Sequence, residues 1–173
     1  MKILLIFDQG LAGAGGKSNP NVGLQIAKGG VGSALMLQPF FEPIGGNVVA
    51  TLYCGNEYFL AHKEEVVLKM TKMAEKIKPD IVLCGPCFNF YDYALMSAMI
   101  TEQIQKESDI PVVTIMSQEN TETIEKYKGE IPILKMPKKG GTGLSDSFRD
   151  LAAWMKAKVE GQNPASLEER IRY

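Results

Sequence analysis

Histidine, tryptophan and cysteine are scarce in this chain, with one His, one Trp and three Cys in 173 residues. A single histidine, His62, gives no multi-histidine metal site. No G-x-S-x-G segment accompanies it, so a Ser-His-Asp hydrolase finds no support either. Three cysteines are too few, and odd in number, for a disulfide framework; they fit free thiols in a reducing, cytoplasmic setting. One CxxC without a second pair does not make a zinc site, so no metal is expected. Charge of one sign is also missing: 19 Lys plus Arg balance 20 Asp plus Glu. That excludes the basic footprint of a nucleic-acid or anionic-membrane binder. No apolar run approaches the roughly 18 residues that span a bilayer. The opening MKILLIFDQG has too short an apolar stretch for a signal peptide and reads as a buried strand.

What is present is an alternation. Five short, nearly continuous apolar runs predict strands buried on both faces: 2–7, 47–54, 80–84, 111–116 and 131–136. Helical periodicity fills the spaces between them. Val66, Val67, Met70, Met73, Ala74 and Ile77 make an apolar stripe over 63–78. Residues 91–107 and 144–159 carry comparable stripes. The β-α-β-α order implies a three-layer, doubly wound α/β fold, Rossmann- or flavodoxin-like, with about five mainly parallel strands. A single domain is expected over 1–159. The polar segment 160–173 is expected to leave it as a tail.

Such sheets bind ligands beyond the carboxyl ends of their strands. The loops there are 8–32, 54–59, 84–93, 117–122 and 137–143, four of them carrying glycine. The first is long and glycine-rich. Its GGKS at 15–18 lacks the spacing of a P-loop, because Leu11 stands where the first glycine is needed. Twenty-five residues of loop also do not supply the tight turn of a dinucleotide site. Glycines such as Gly15 and Gly16 can instead let backbone N–H groups close around a small anion. Aromatic residues gather after the second and third predicted strands: Tyr53, Tyr58, Phe59, Phe88, Phe90, Tyr91 and Tyr93. Asn56, Asn89 and Asn120 add amides, and Glu57 and Glu119 add carboxylates. Aromatic faces with a carboxylate suit the cationic end of a small amine or amino acid.

Cys84-Gly85-Pro86-Cys87 spells the four letters of a thioredoxin site. With Cys84 at a strand end and Cys87 near a helix start, a lowered thiol pKa is expected, making both candidate catalytic thiols. Against that, Leu83 precedes the pair where thioredoxins carry Trp, and the surrounding element order is not theirs.

Taken in order, the segments GAGG (13–16), GGVGSAL (29–35), VATLYCGNEYF (49–59), KPDIVLCGPCFNFYDYA (78–94), IPVVTIMSQENTETIEKYK (110–128) and the helix after GGTG (140–143) resemble a known family. They are similar to the N-terminal half of selenoprotein B of glycine/sarcosine/betaine reductase. The resemblance covers nearly the whole chain. It implies a substrate-binding component in a reductive C–N cleavage. The substrate amine would be held as a Schiff base on a partner's pyruvoyl group, and a selenolate would take the carboxymethyl carbon. No cofactor is expected in this chain; the pyruvoyl group and the selenocysteine would sit on partners. Those partners would be a pyruvoyl-containing subunit and a separate second-half subunit, with homo-oligomerisation left open. By the same resemblance Gly15, Gly16, Cys54, Gly55, Tyr58, Phe88, Asn89, Glu119 and Asn120 shape the substrate and partner pocket, and Asn56 lies among them.

Three departures qualify the likeness. The family's second half, with its redox-active selenocysteine or cysteine motif, has no counterpart in these residues. The family's GPAFN turn reads GPCFN here, so CGPC looks like that turn with a cysteine substituted. The Arg that follows the family's turn is Asp92 in this chain. The expectation is therefore a subunit or homologue of the reductase's component B. A non-catalytic binder of small amines and a dithiol oxidoreductase are the rivals.

Overall fold

Runs of apolar residues too short for helices and flanked by polar turns pair side by side, and the periodic segments between them pack above and below. The computed structural model describes residues 1–173. It has six strands: β1 (Lys2–Asp8), β2 (Gln25–Lys28), β3 (Asn47–Cys54), β4 (Ile81–Cys87), β5 (Val112–Ser117) and β6 (Ile133–Met136). Seven helices join them: α1 (Ala34–Phe41), α2 (Asn56–Ala61), α3 (Lys63–Ile77), α4 (Tyr91–Glu107), α5 (Thr121–Tyr127), α6 (Leu144–Val159) and α7 (Ala165–Ile171). The five predicted strands are all present. The sixth, β2, arises inside the glycine-rich loop, pairs antiparallel to β3 and forms one sheet edge.

The strand order is β2-β3-β1-β4-β5-β6, and every pairing except β2–β3 is parallel. Without β2, the parallel strands run second-first-third-fourth-fifth, the flavodoxin-like order. The winding therefore reverses between β1 and β4. There the loops that leave the two strands diverge and open a crevice.

Strand alternation divides the core in two. Ile3, Leu5 and Phe7 of β1, with Ile81 and Leu83 of β4, pack against α1, α6 and α7. Leu4 and Ile6, with Val82 and Cys84, pack against α2, α3, α4 and α5. Period two in the strands thus delivers one apolar set to each helical layer. Helix α3 meets its sequence pattern closely, with Val66, Val67, Met70 and Ala74 buried. Glu64 and Glu65 in its first turn and Lys76 in its last suit the helix dipole.

Residues 160–173 do not leave the domain. Helix α7 folds back on α6, where Trp154 Nε1 donates to Glu168 Oε1 at 2.7 Å. Arg170 forms a paired hydrogen bond with Asp150 at 2.8 and 2.9 Å. Arg172 bridges Leu134 beside β6, Tyr173 N–H donates to the Ile133 carbonyl at 3.0 Å, and the Tyr173 hydroxyl reaches the Met116 carbonyl at 3.0 Å. Composition favoured a solvated tail, but Ile171 is buried and the last two residues occupy the β6 edge.

Candidate functional site

The site is built where β1, β3 and β4 end. β1 finishes at Asp8, and the chain coils at once: Ala12 N–H donates to the Asp8 carbonyl at 3.0 Å and Ala14 N–H to the Gln9 carbonyl at 2.9 Å. The loop continues through Gly15 and Gly16, with φ of 106° and 53°, a left-handed pair that glycine accepts without strain. It then returns to the sheet. Ser33 N–H donates to the Leu11 carbonyl at 2.7 Å, and Gly32 packs so tightly there that a Cβ would lie 2.1 Å from the same oxygen.

Pro20 in the same loop closes the start of α2. Its carbonyl accepts from Glu57 N–H at 2.9 Å and Tyr58 N–H at 3.1 Å, two of the donors a helix start leaves unpaired. Gly55 makes this approach possible, since a Cβ on it would lie 2.0 Å from the Pro20 oxygen. The long loop is therefore a lid fastened to α2.

A polar chain runs underneath. Gln9, buried, accepts from Asn56 N–H at 3.0 Å through Oε1. Its Nε2 donates to the Gly16 carbonyl at 3.2 Å and to Asn56 Oδ1. Asn56 Nδ2 donates in turn to Asp92 Oδ2 at 3.2 Å. Asp92, in the first turn of α4, ends the chain where the helix dipole favours a carboxylate.

Beside this chain, at the β1/β4 reversal, lies a recess of about 190 Å3 lined by Asp8, Gly10, Leu11, Pro86, Phe88, Phe90 and Tyr93. Tyr93 is fixed by its hydroxyl, which donates to the Ile6 carbonyl at 2.6 Å. The Asp8 side chain is only 8% exposed, and burial pushes its carboxyl pKa up although Leu11 and Gly10 N–H groups favour the anion. Larger hollows of about 360 and 500 Å3 lie near Gln105–Val112 and along β2. Neither touches the carboxyl end of the sheet, and neither contains a buried ionisable side chain.

The sequence-predicted residues divide between this site, its supports and the core. Phe88 lines the recess, with Phe90 and Tyr93. Gly15, Gly16, Gly55 and Asn56 form the lid and polar chain. Asn120 is a brace: its Nδ2 donates to the carbonyls of Cys87, Phe88 and Ser117 at 3.1, 2.9 and 3.2 Å and holds the turn after β4. Glu119 is exposed and accepts from the Ser117 hydroxyl at 3.1 Å, and Asn89 is exposed. Tyr58 stacks on His62 at 4.3 Å, while Phe59 is buried in the core, so neither belongs to the recess.

The thiols sit differently from the sequence expectation. Cys84 and Cys87 are both inside β4, buried on the α4 side, and α4 begins only at Tyr91. Cys87 Sγ donates to Ser97 Oγ at 3.2 Å, and Cys54 Sγ lies 3.6 Å from Met96 Sδ. Burial pushes all three thiols up to about 12, the reverse of the lowered pKa that a helix N-terminus would give. No group of three or more His, Cys, Asp or Glu converges as a metal ligand set. No helix is long and apolar enough to cross a membrane.

Asp8 and Gln9 open the loop 8–32 that the sequence singles out, but the glycines further along it, not these two residues, carry its motif. The signal was there: two polar residues directly beyond an apolar first strand, at the end of the sheet where α/β ligands sit.

Comparison with known proteins gives a consistent answer. The family model for glycine/sarcosine/betaine reductase selenoprotein B matches residues 1–171. The gamma subunit of glycine reductase complex component B from Symbiobacterium thermophilum is 28% identical over 164 residues, 95% of this chain and 38% of that protein. The beta subunit of sarcosine reductase complex component B from Peptoclostridium acidaminophilum is 26% identical over 162 residues, 94% of this chain and 36% of the relative. The corresponding betaine reductase subunit from the same organism is 28% identical over 155 residues, 90% and 34%. This chain thus spans little more than a third of the length of these relatives. No solved structure matches it.

Proposed function

Because the chain belongs to the glycine/sarcosine/betaine reductase selenoprotein B family, we propose that it is the substrate-binding part of a component B in an amino-acid reductase complex. The observation that carries this reading is the coincidence of two things. Gly16, Asn56, Pro86, Phe88, Phe90 and Tyr93 lie in segments that resemble the family, Asp8 to Leu11 join them from the end of β1, and together they stand at the point of the sheet where the fold places ligands.

The chain's own residues account for binding and positioning. Gln9 and Asn56 hold the lid and the first turn of α2 in one arrangement. Asn120 fixes the turn that presents Phe88. The recess is small and apolar except for Asp8, which suits a compact amine or amino acid rather than a nucleotide. The thiols do not fit the electron-transferring role, because they are buried and held neutral. That role, and the pyruvoyl group such a reaction uses, are assigned to partner subunits, whose chemistry is reductive cleavage of a C–N bond.

Tagged chain recovered from native cell extract tests the reading, with its companions identified by mass spectrometry. A pyruvoyl-type subunit or a selenocysteine- or cysteine-bearing second half among them is the expected result. Recovery of the chain alone under gentle salt, with no reductase activity restored by adding it to extract that lacks it, sinks the proposal in favour of a free-standing amine-binding protein.

A further inference from the structure

We infer that Asp8 is a specificity-determining residue, whose carboxylate receives the cationic head of a small organic ammonium in the recess walled by Leu11, Phe88, Phe90 and Tyr93. The inference deepens the functional reading above and rests on it for the place of the site.

The geometry begins with an imbalance. Asp8 is more than nine-tenths buried, yet no Lys, Arg or His lies within salt-bridge distance of it. Leu11 N–H donates to Oδ1 at 2.8 Å, and no side chain donates to Oδ2. The ionisable groups around it are Cys54 at the end of β3, Cys87 in β4 and Tyr93 in α4. Burial raises the pKa of each, so all three are neutral near pH 7. None supplies a positive charge. A buried carboxylate without a cation is costly, and proteins ordinarily pair it. Here the open side of the carboxylate is the recess.

The walls of that recess match the same ligand. Three of its seven lining residues are aromatic, and cations gain on aromatic faces, more so when water is excluded. About 190 Å3 is below the roughly 300–1,000 Å3 of drug-sized sites. The ligand is therefore a compact ammonium carrying a few carbons. An anion meets a like charge, and a neutral molecule of the same shape leaves Asp8 unpaired.

Proton linkage follows. The raised pKa keeps part of the Asp8 population protonated above the usual carboxylate range. An ammonium binds the ionised form, so its affinity rises with pH through the Asp8 titration and is flat above it.

Isothermal titration calorimetry of the purified chain, with tetramethylammonium and its neutral counterpart tert-butanol as probes, tests this. Neither probe titrates, so any pH dependence belongs to the protein. Tetramethylammonium should bind at least tenfold more tightly than tert-butanol and tighten as pH rises. Asp8→Asn should abolish that preference. Phe90→Ala, at a side chain 37% exposed and so tolerant of truncation, should weaken tetramethylammonium several-fold in a folded protein. Equal binding of both probes, no binding of either, or affinity that improves as pH falls would overturn the inference. The measurement uses the chain alone. A negative result alongside recovery of reductase partners would move the amine site elsewhere in the complex and leave the family function standing.

Discussion

The side-chain amide of Asn56 donates to the carboxylate of Asp92 at 3.2 Å, and so ties the first turn of α2 to the first turn of α4 across the carboxyl end of the sheet. Asp92 is the position at which the sequence resemblance leads one to expect an Arg. In this chain the acid is a hydrogen-bond acceptor at a helix start, so the reversed charge has a structural use here.

Asn56→Ala should cost about 1–3 kcal/mol, because buried Gln9 loses the acceptor of one of its N–H bonds. Asn56→Asp should cost more, since a second carboxylate would face Asp92. Urea denaturation of both variants checks the order; equal losses would mean that Asp92 does not feel residue 56.

Thiol chemistry gives a direct reading of the burial of β4. At pH 8 the native chain should show no fast-reacting thiol towards a chromogenic disulfide, and all three should react once it is unfolded in guanidinium. The folded pKa values of about 12 lie above the unfolded value of 9.0. The unfolded chain therefore sheds thiol protons first, and stability should decline as pH climbs from about 9 towards about 12. One rapidly labelled native thiol would revive the dithiol reading.

Asp8→Asn removes a buried charge and should raise neutral-pH stability by roughly 1 kcal/mol, or about 2–4 °C in Tm. The sign of the pH effect follows from the raised folded pKa. Native Asp8 keeps its proton to higher pH than unfolded Asp8, so its contribution is greatest at low pH and is lost as pH rises through the folded value. The gap between variant and parent should therefore widen from acid to neutral pH in thermal melts.

Gly55→Ala places a methyl on the Pro20 carbonyl. Either the loop lifts from α2 or the strand end shifts, at a cost of about 1–3 kcal/mol or more. Limited proteolysis should then cut between Asn19 and Gly23, where the parent chain resists.

Trp154→Phe deletes the donor to Glu168 while keeping most of the ring, and should lose about 1 kcal/mol. Loss of residues 165–173 should cost several times that, because Ile171 and the hydrogen bonds of Tyr173 go with them. Thermal melts of the two variants give the comparison.

Long elements with strong patterns were legible. The stripe over 63–78 became α3, and the bounds 91–107 and 144–159 are those of α4 and α6. Short elements were not. β2 has four residues, three of them exposed, and exists because β3 offers it a partner. α2 and α5, of six and seven residues, begin inside the loops 54–59 and 117–122 and are too short to show a stripe. α1 carries Pro39, which masks its period. α7 is held by contacts to Trp154, Asp150 and β6, all distant in sequence, and its own composition points to solvent. The site followed the same rule. The glycines and Asn56 stood out by motif, whereas Asp8 acquires its character only from what surrounds it.

The two borders of the sheet are unequal. Arg172 and Tyr173 lie along β6, whereas the outer side of β2 carries no strand. The β6 edge is thus partly covered by the chain's own backbone, and the β2 edge is the one left open to pairing. Backbone pairing with another chain would therefore begin at β2 rather than at β6.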